Sequence, residues 1–214
     1  MTLVKICGLM EPGQAHAAAT AGADFLGFIF FPKSPRNLPA EQWRALAAGL
    51  PADTAKVGVF VNPSDAHLDE IMAAAELDWI QLHGHESLAR VTEVKARYGK
   101  PVMKALAVRD RADLAEVPGY QAVADRLLFD AKPPDDPSAL PGGNGLNFDW
   151  RLLEMLELDG IWALAGGLDP QNVRQAVALT HAPMVDVSTG VEIAPGNKDN
   201  AKVAAFIGAC RTPK

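Results

Sequence analysis

Cysteine is scarce in this chain of 214 residues, which has two, Cys7 and Cys210, near its opposite ends. Two widely separated thiols form neither a disulfide framework nor a zinc site, which needs ligands at short spacing. The pattern is typical of a protein from a reducing compartment. Cys7 ends a short apolar stretch immediately before Gly8, so its presence there needs an explanation of its own.

Long apolar runs and an excess of positive charge are missing as well. No stretch approaches the roughly 20 apolar residues that span a bilayer, and no N-terminal segment resembles a secretory signal. The formal net charge of −6 argues against nucleic-acid and membrane partners. No HExxH, Walker A or Cys–His spacing predicts a metal site or a nucleotide site. We therefore expect a cytoplasmic protein without a metal, in which local cations and backbone N–H groups would have to hold any anionic ligand.

The sequence does contain a regular alternation of short apolar runs and helical stretches, repeated about eight times. Ser64, after Pro63, is a predicted N-cap of the third helix. The predicted strands are 3–7, 25–30, 56–61, 79–83, 101–106, 126–130, 161–166 and 183–188, and the predicted helices are 12–21, 39–48, 64–75, 86–97, 110–117, 148–157, 169–179 and 199–210. The count predicts a single-domain (β/α)₈ barrel over residues 1–214. A doubly wound open sheet has the same rhythm, but no G-x-G-x-x-G follows the first strand.

In such a barrel, the carboxyl ends of the strands and the loops after them form the active face. Most of the unusual chemistry in the sequence falls on that rim, which carries Cys7, the segment 31–36, Asn62, His83, Lys104, Asp130, the glycines at 166–167 and the segment 186–190. The loops after strands seven and eight contain Gly166, Gly167, Ser188, Thr189 and Gly190. Backbone N–H groups in glycine-bearing loops suit a phosphate, although these glycines could simply permit tight turns.

Cys7 and Asp130 are the candidates for proton transfer, because alternation along their strands points both of them inward. An activated thiolate can act as a base, and a desolvated carboxyl can act as an acid. The alternatives are a small buried apolar residue for Cys7 and, for Asp130, a cap or an ion-pair partner of Lys132.

Three more rim residues could bind a ligand. Arg36 lies in the proline-stiffened segment FPKSPR and could grip a carboxylate or a phosphate, or could be a solvated surface arginine. His83 could orient a ligand or be a packed histidine, and Asp186 suits a sugar hydroxyl better than a phosphate. The acidic loop 131–137 and the glycines at 142–145 could fold over the ligand as a lid.

Several motifs together resemble one family. KICG, FIFFPKSPR, GVFVN, QLHG, LFDAK, GG.G..FDW, LAGGL, VDVS.GVE and a late KD occur in the order found in phosphoribosylanthranilate isomerases, enzymes of tryptophan biosynthesis. The likeness covers essentially the whole chain. It implies a cofactor-free barrel that rearranges N-(5-phosphoribosyl)anthranilate into the 1-deoxyribulose form. Met10, Asn144, Leu146 and Asn147 depart from the usual residues of the family, which leaves the contacts of the sixth loop open.

The resemblance also implies roles for the rim residues. Cys7 would be the general base, Asp130 the general acid and Arg36 the ligand of the anthranilate carboxylate, while the glycine-bearing loops would take the phosphate. One rival is an isomerase of a related aminoaldose, which would need aspartates on strands one and five, where this chain has Cys7 and 106–107. Another is a non-catalytic phosphosugar-binding barrel, which has no need of a base and an acid. The sequence leaves open whether the protein is a monomer or a homodimer.

Overall fold

A computed structural model describes residues 1–134, 140–143 and 145–211 of the chain. Eight parallel strands close into a barrel in sequence order, so the predicted (β/α)₈ architecture is confirmed. The strands are β1 (Leu3–Cys7), β2 (Phe25–Phe30), β3 (Ala55–Phe60), β4 (Trp79–Leu82), β5 (Val102–Val108), β6 (Arg126–Ala131), β7 (Ala163–Leu164) and β8 (Met184–Val187). Pairing of β1 with β8 closes the cylinder, with Lys5 opposite Asp186.

Seven α-helices lie among the described residues: α1 (Pro12–Ala21), α2 (Ala40–Ala47), α3 (Asp65–Ala74), α4 (Leu88–Tyr98), α5 (Val117–Val123), α6 (Val173–Thr180) and α7 (Asn200–Arg211). Ser64 caps α3 as predicted, its hydroxyl accepting from the N–H of His67 at 3.3 Å. Two predicted helices are wrong in kind. The stretch 110–117 holds a 3₁₀ turn at Arg111–Leu114 that precedes α5, and the stretch 148–157 is a 3₁₀ segment at Trp150–Met155. Pro118 explains the first error, because proline is tolerated in the first turn of a helix and starts α5 there.

Alternation along the strands divides the apolar residues into two cores. The larger core lies between the sheet and the surrounding helices, and the smaller one fills the lower part of the barrel interior. The inner core comprises Phe25, Val57, Met103, Ala105, Leu128, Ala163, Ala165 and Met184. Below it, the guanidinium of Arg126 stacks 4.4 Å from the ring centroid of Trp79. The interior is therefore packed, and only its upper end is open for chemistry.

A small hairpin follows β8 that was not predicted. After a 3₁₀ turn at Thr189–Val191, β9 (Glu192–Ala194) pairs with β10 (Asn197–Lys198), and α7 begins two residues later. Each strand is two or three residues long, too short for a period of two to be read from the sequence. The hairpin brings Glu192 and Lys198 back over the barrel rim. None of the described helices is both long and apolar enough to cross a bilayer.

Candidate functional site

One cavity occupies the carboxyl end of the barrel. It encloses about 850 Å³, including the open space at its mouth. All ten candidate residues line it: Cys7, Arg36, His83, Asp130, Gly166, Gly167, Asp186, Ser188, Thr189 and Gly190. The structure thus brings together groups contributed by strands and loops from all around the cylinder.

Cys7 lies on one wall of this cavity, and its side chain is almost fully buried. Beneath it, the Nζ of Lys5 pairs with Oδ1 of Asp186 at 3.0 Å. The sulfur and the Lys5 ammonium both face Gly27, where an added Cβ would lie 2.9 Å from Sγ and 3.0 Å from Nζ. A side chain at residue 27 would fill the place where thiol and ammonium meet.

The ionisation of Cys7 reflects these neighbours. Burial raises the pKa of the thiol, the Lys5 ammonium opposes that shift, and the net direction is upward. Burial alone would lower the pKa of Lys5, but the charges of Asp186 and Cys7 raise it above its ordinary value. Lys5 therefore stays charged, and it is the principal group that favours a thiolate at Cys7.

Asp130 faces the cavity from β6. Its Oδ1 accepts from the N–H of Ala131 at 2.8 Å, and its Oδ2 lies 3.2 Å from Nε2 of His83. The alternative that Asp130 pairs with Lys132 is wrong, because Lys132 pairs with Asp113 instead. Both oxygens of Asp130 are thus held in place beside open space.

Arg36 is buried, not solvated, and its guanidinium is held by Glu192 of the unpredicted hairpin. Nε donates to Oε1 at 2.8 Å and Nη2 donates to Oε2 at 2.6 Å. This hydrogen bonding to Glu192 raises the pKa of Arg36. Nη2 also donates to Oγ1 of Thr189 at 3.4 Å. Nη1 has no acceptor among the described residues, so it is the guanidinium nitrogen best placed to meet an incoming anion.

Lys198 completes this charged group. Its Nζ lies 2.7 Å from Oε1 of Glu192 and 3.2 Å from Oγ of Ser188. Burial would raise the pKa of Glu192, but the hydrogen bonds from Arg36 and the charge of Lys198 lower it. Burial also lowers the pKa of Lys198, which Glu192 only partly offsets. Glu192 is therefore ionised and shared between two cations.

The loops after β7 and β8 approach each other very closely. Gly166 has φ +82°, and a Cβ on Gly190 would lie 2.0 Å from the carbonyl oxygen of Leu168. Larger residues would force the loops apart, so both positions require glycine. The N–H groups of Gly166 and Gly167 donate to no protein acceptor within the described ranges, which leaves them for a ligand. A phosphate site here stays a prediction.

The loop after β6 covers part of the cavity. Pro141, Gly142 and Gly143 line it, and the hydroxyl of Thr189 donates to the carbonyl oxygen of Gly143 at 2.9 Å. Residues 135–139 and Asn144 of the predicted lid lie outside the described residues. The predicted role as a lid stays a prediction.

Four polar residues of the site were missed from the sequence: Lys5, Gln81, Glu192 and Lys198. Each is buried. All four fall inside motifs that carried the family resemblance. Nothing in the spacing of the last two showed that Glu192 joins Arg36 to Lys198. Lys104, by contrast, was predicted to lie on the rim, but its side chain does not enter the barrel. Its neighbours Met103 and Ala105 point inward, so Lys104 points outward, where it pairs with Glu86 at 3.0 Å. In the described part of the chain, no cluster of three or more His, Cys, Asp or Glu side chains could hold a metal ion.

Comparisons with known proteins agree on one family. The model of the N-(5'-phosphoribosyl)anthranilate (PRA) isomerase family matches residues 4–209. The isomerase of that name from Paracoccus denitrificans is 56% identical over 210 residues, which cover 98% of this chain and 97% of the relative.

Solved structures agree with the family model. Phosphoribosyl anthranilate isomerase from Thermotoga maritima superposes with a TM-score of 0.88 at 34% identity, covering 99% of both chains. A crystal structure of such an isomerase in complex with reduced 1-(o-carboxyphenylamino)-1-deoxyribulose 5-phosphate superposes with a TM-score of 0.85 at 32% identity, again covering 99% of each chain.

Proposed function

The chain belongs to the family of N-(5'-phosphoribosyl)anthranilate isomerases, and from this premise we propose how its own residues carry out the reaction. The enzyme is an isomerase of tryptophan biosynthesis, in the class of intramolecular oxidoreductases. Its reaction is the Amadori rearrangement of N-(5-phosphoribosyl)anthranilate to 1-(2-carboxyphenylamino)-1-deoxyribulose 5-phosphate. The observation that carries the assignment of roles is that Cys7 and Asp130 reach one cavity from β1 and β6.

The acid step belongs to Asp130. Protonation of the ribose ring oxygen by its carboxyl opens the ring, and the nitrogen lone pair forms a protonated Schiff base at C1. The bond that breaks is C1–O, and its electron pair stays on the oxygen that receives the proton. No cofactor is required, because the substrate's own nitrogen serves as the electron sink.

The base step belongs to Cys7. The iminium cation acidifies the C2 proton, the thiolate removes it, and the resulting enol-amine tautomerises to the ketone. A buried thiol with a raised pKa would be a poor base alone, but Lys5 and Lys198 both act to lower that pKa. The positive iminium itself adds a cation beside the sulfur at the moment when the proton leaves, which further favours the thiolate.

Substrate binding draws on the remaining candidate residues. We expect Arg36 to bind the anthranilate carboxylate, through Nη1 above all, and the N–H groups around Gly166, Gly167 and 188–190 to bind the phosphate. We expect Asp186 and His83 to bind the sugar hydroxyls between the two anionic ends. Three cations line or underlie the site, Lys5, Arg36 and Lys198, and each is paired with Asp186 or Glu192. Because this positive charge is already paired, the anionic substrate is held by directed donors and not by a broad positive field.

The partners and location follow from this chemistry. We expect a phosphorylated, anionic small molecule as the substrate, without nucleic acid or membrane, and a cytoplasmic enzyme that is a monomer or a homodimer.

The test is direct conversion of freshly prepared N-(5-phosphoribosyl)anthranilate, followed by the loss of substrate fluorescence, together with complementation of a tryptophan auxotroph that lacks this isomerase. The wild-type chain should turn over and restore growth, and Cys7→Ala should turn over about a hundredfold more slowly or worse. A folded, expressed chain that binds phosphosugar without turnover would overturn the proposal in favour of a non-catalytic binder.

A further inference from the structure

Gln81 is an amide side chain that points into the barrel just below the cavity, and it is fully buried. It lies on β4 two residues before His83, so both side chains point into the cylinder. Its Nε2 lies 2.8 Å from Nδ1 of His83, and Nε2 of His83 lies 3.2 Å from Oδ2 of Asp130. The three side chains form a continuous chain of contacts that ends on the proposed acid.

The direction of these hydrogen bonds follows from the donors. The amide nitrogen of Gln81 faces the ring, and an amide NH₂ can only donate, so this contact assigns Nδ1 of His83 as the acceptor and Nε2 as the nitrogen that carries the proton. In that tautomer, His83 donates to Oδ2 of Asp130. The opposite tautomer would place the Nδ1–H of His83 against the NH₂ of the amide, donor against donor.

The contact with His83 is what orients the amide. Oε1 of Gln81 is buried and has no hydrogen-bond partner within the described ranges. Because no donor there holds the oxygen, the contact of Nε2 with Nδ1 of His83 sets the orientation of the side chain.

The surroundings exclude a loose arrangement of the pair. A Cβ on Gly142 would lie 2.6 Å from Nε2 of His83 and 2.8 Å from Oδ2 of Asp130, so the backbone of the covering loop lies directly over their contact. The other ionisable groups around His83 are Cys7, Arg36 and Asp186 in the same cavity and His85, Lys104, Asp113, Glu116, Tyr120 and Lys132 in a neighbouring one. Among the neighbouring group, Lys104 and Lys132 are already paired, with Glu86 and Asp113.

We propose that Gln81 is a positioning residue for the acid, locking His83 in the Nε2–H tautomer so that it donates to Asp130 throughout the reaction. The inference rests on the proposed function only in naming Asp130 as the acid. As the carboxyl gives its proton to the ring oxygen, negative charge develops on Asp130, and the donor from His83 strengthens where that charge appears. The other oxygen of Asp130, Oδ1, keeps its hydrogen bond from the N–H of Ala131 at the cavity wall.

The experiment reads the tautomer directly. The protein labelled with ¹⁵N-histidine gives long-range ¹H–¹⁵N spectra in which the two ring nitrogens report their protonation, and a His83→Asn sample identifies the signal among the five histidines. Wild type should show His83 as Nε2–H. Gln81→Glu offers only acceptors and should place a proton on Nδ1, while Gln81→Met keeps the shape and should leave a tautomer mixture.

Kinetics separate positioning from packing. Gln81→Met should lower kcat by about ten- to a hundredfold with little change in KM, the scale seen when a partner of a functional histidine is removed. Gln121→Met, which removes an amide bonded to Asp159 outside the cavity, is the matched control and should leave both the spectrum and kcat unchanged.

Two results would overturn the proposal: an Nδ1–H tautomer in the wild type, or a Gln81→Met variant whose tautomer and kcat match the wild type. If Gln81→Glu fails to fold, the wild-type spectrum and the Gln81→Met data still decide. A wild-type protein with the expected tautomer but no isomerase turnover would refute the proposed function and not the positioning of His83 by Gln81.

Discussion

The buried ion pair between Lys5 and Asp186 leads to a quantitative prediction. Lys5 has none of its side chain exposed, Asp186 has 8%, and one contact of 3.0 Å joins them. Removing one member of a buried pair leaves an uncompensated charge and costs about 3–5 kcal/mol. Lys5→Met leaves a carboxylate that still reaches the hydrated cavity, so we expect the free energy of unfolding to fall by an amount at the lower end of this range, about 3 kcal/mol. Asp186→Ala leaves an ammonium with no access to solvent, so we expect a loss at the upper end, about 5 kcal/mol.

Urea unfolding at neutral pH measures both values and their coupling. The double variant Lys5→Met/Asp186→Ala removes both charges, so it should be more stable than the sum of the single losses predicts, by about 2–3 kcal/mol. Lys95→Met, which breaks a partly exposed pair with Asp125, is the control and should cost less than about 1 kcal/mol. Two results would refute the view that this pair is desolvated. One is a double variant whose loss of unfolding free energy equals the sum of the two single losses, and the other is a loss for Lys5→Met no larger than that for Lys95→Met.

Three further predictions follow from the site and its surroundings. Cys7→Ala and Asp130→Asn should each lower kcat by about a hundredfold or more while inhibition by inorganic phosphate is retained, and near-wild-type turnover in either variant would remove that residue's role. Glu192→Gln removes the charged partner of Arg36, so KM should rise about tenfold or more with a much smaller change in kcat, and a fall confined to kcat would contradict the binding role. Burial raises the pKa of Cys210 to about 12 from 9.0, so the folded state holds this proton more tightly than the unfolded chain does. The stability from that group is complete below pH 9 and is lost as the pH rises toward about 12, so Cys210→Ser should flatten the alkaline decline in unfolding free energy measured by urea titration.

The barrel was predictable because a parallel sheet covered on both faces leaves an unmistakable pattern of apolar runs. The errors fall where that pattern is weakest. The predicted strand 161–166 is reduced to Ala163–Leu164, since the glycines that follow it turn the chain away from the sheet. The sequence also predicted an α-helix at 148–157. The structure has a 3₁₀ helix at Trp150–Met155 instead, which begins where the side chain of Asp149 accepts from the N–H of Arg151.

The location of the site was predictable for a geometric reason. Strand ends of a closed barrel converge, so residues as distant as Cys7, Asp130 and Asp186 could be expected at one rim. The partner of Arg36 could not, because Glu192 is 156 positions away on a hairpin too short to have a sequence signature. A contact of this kind is decided by tertiary packing and not by local spacing.

The layered interior suggests a rule that would have found the other two missed residues. Inward side chains recur every second residue, so the residue two places before a strand-end functional group lies directly beneath it. In LVKIC that residue is Lys5 beneath Cys7, and in WIQL followed by His83 it is Gln81. Both are polar side chains in strands that are otherwise apolar, and burying them is costly unless each has a partner to hold. In the proposed mechanism, the base Cys7 is thus supported by a cation, and the histidine beside the acid is supported by an amide. The inward residues one layer below the cavity supply the charge and the hydrogen bond that the strand-end residues need.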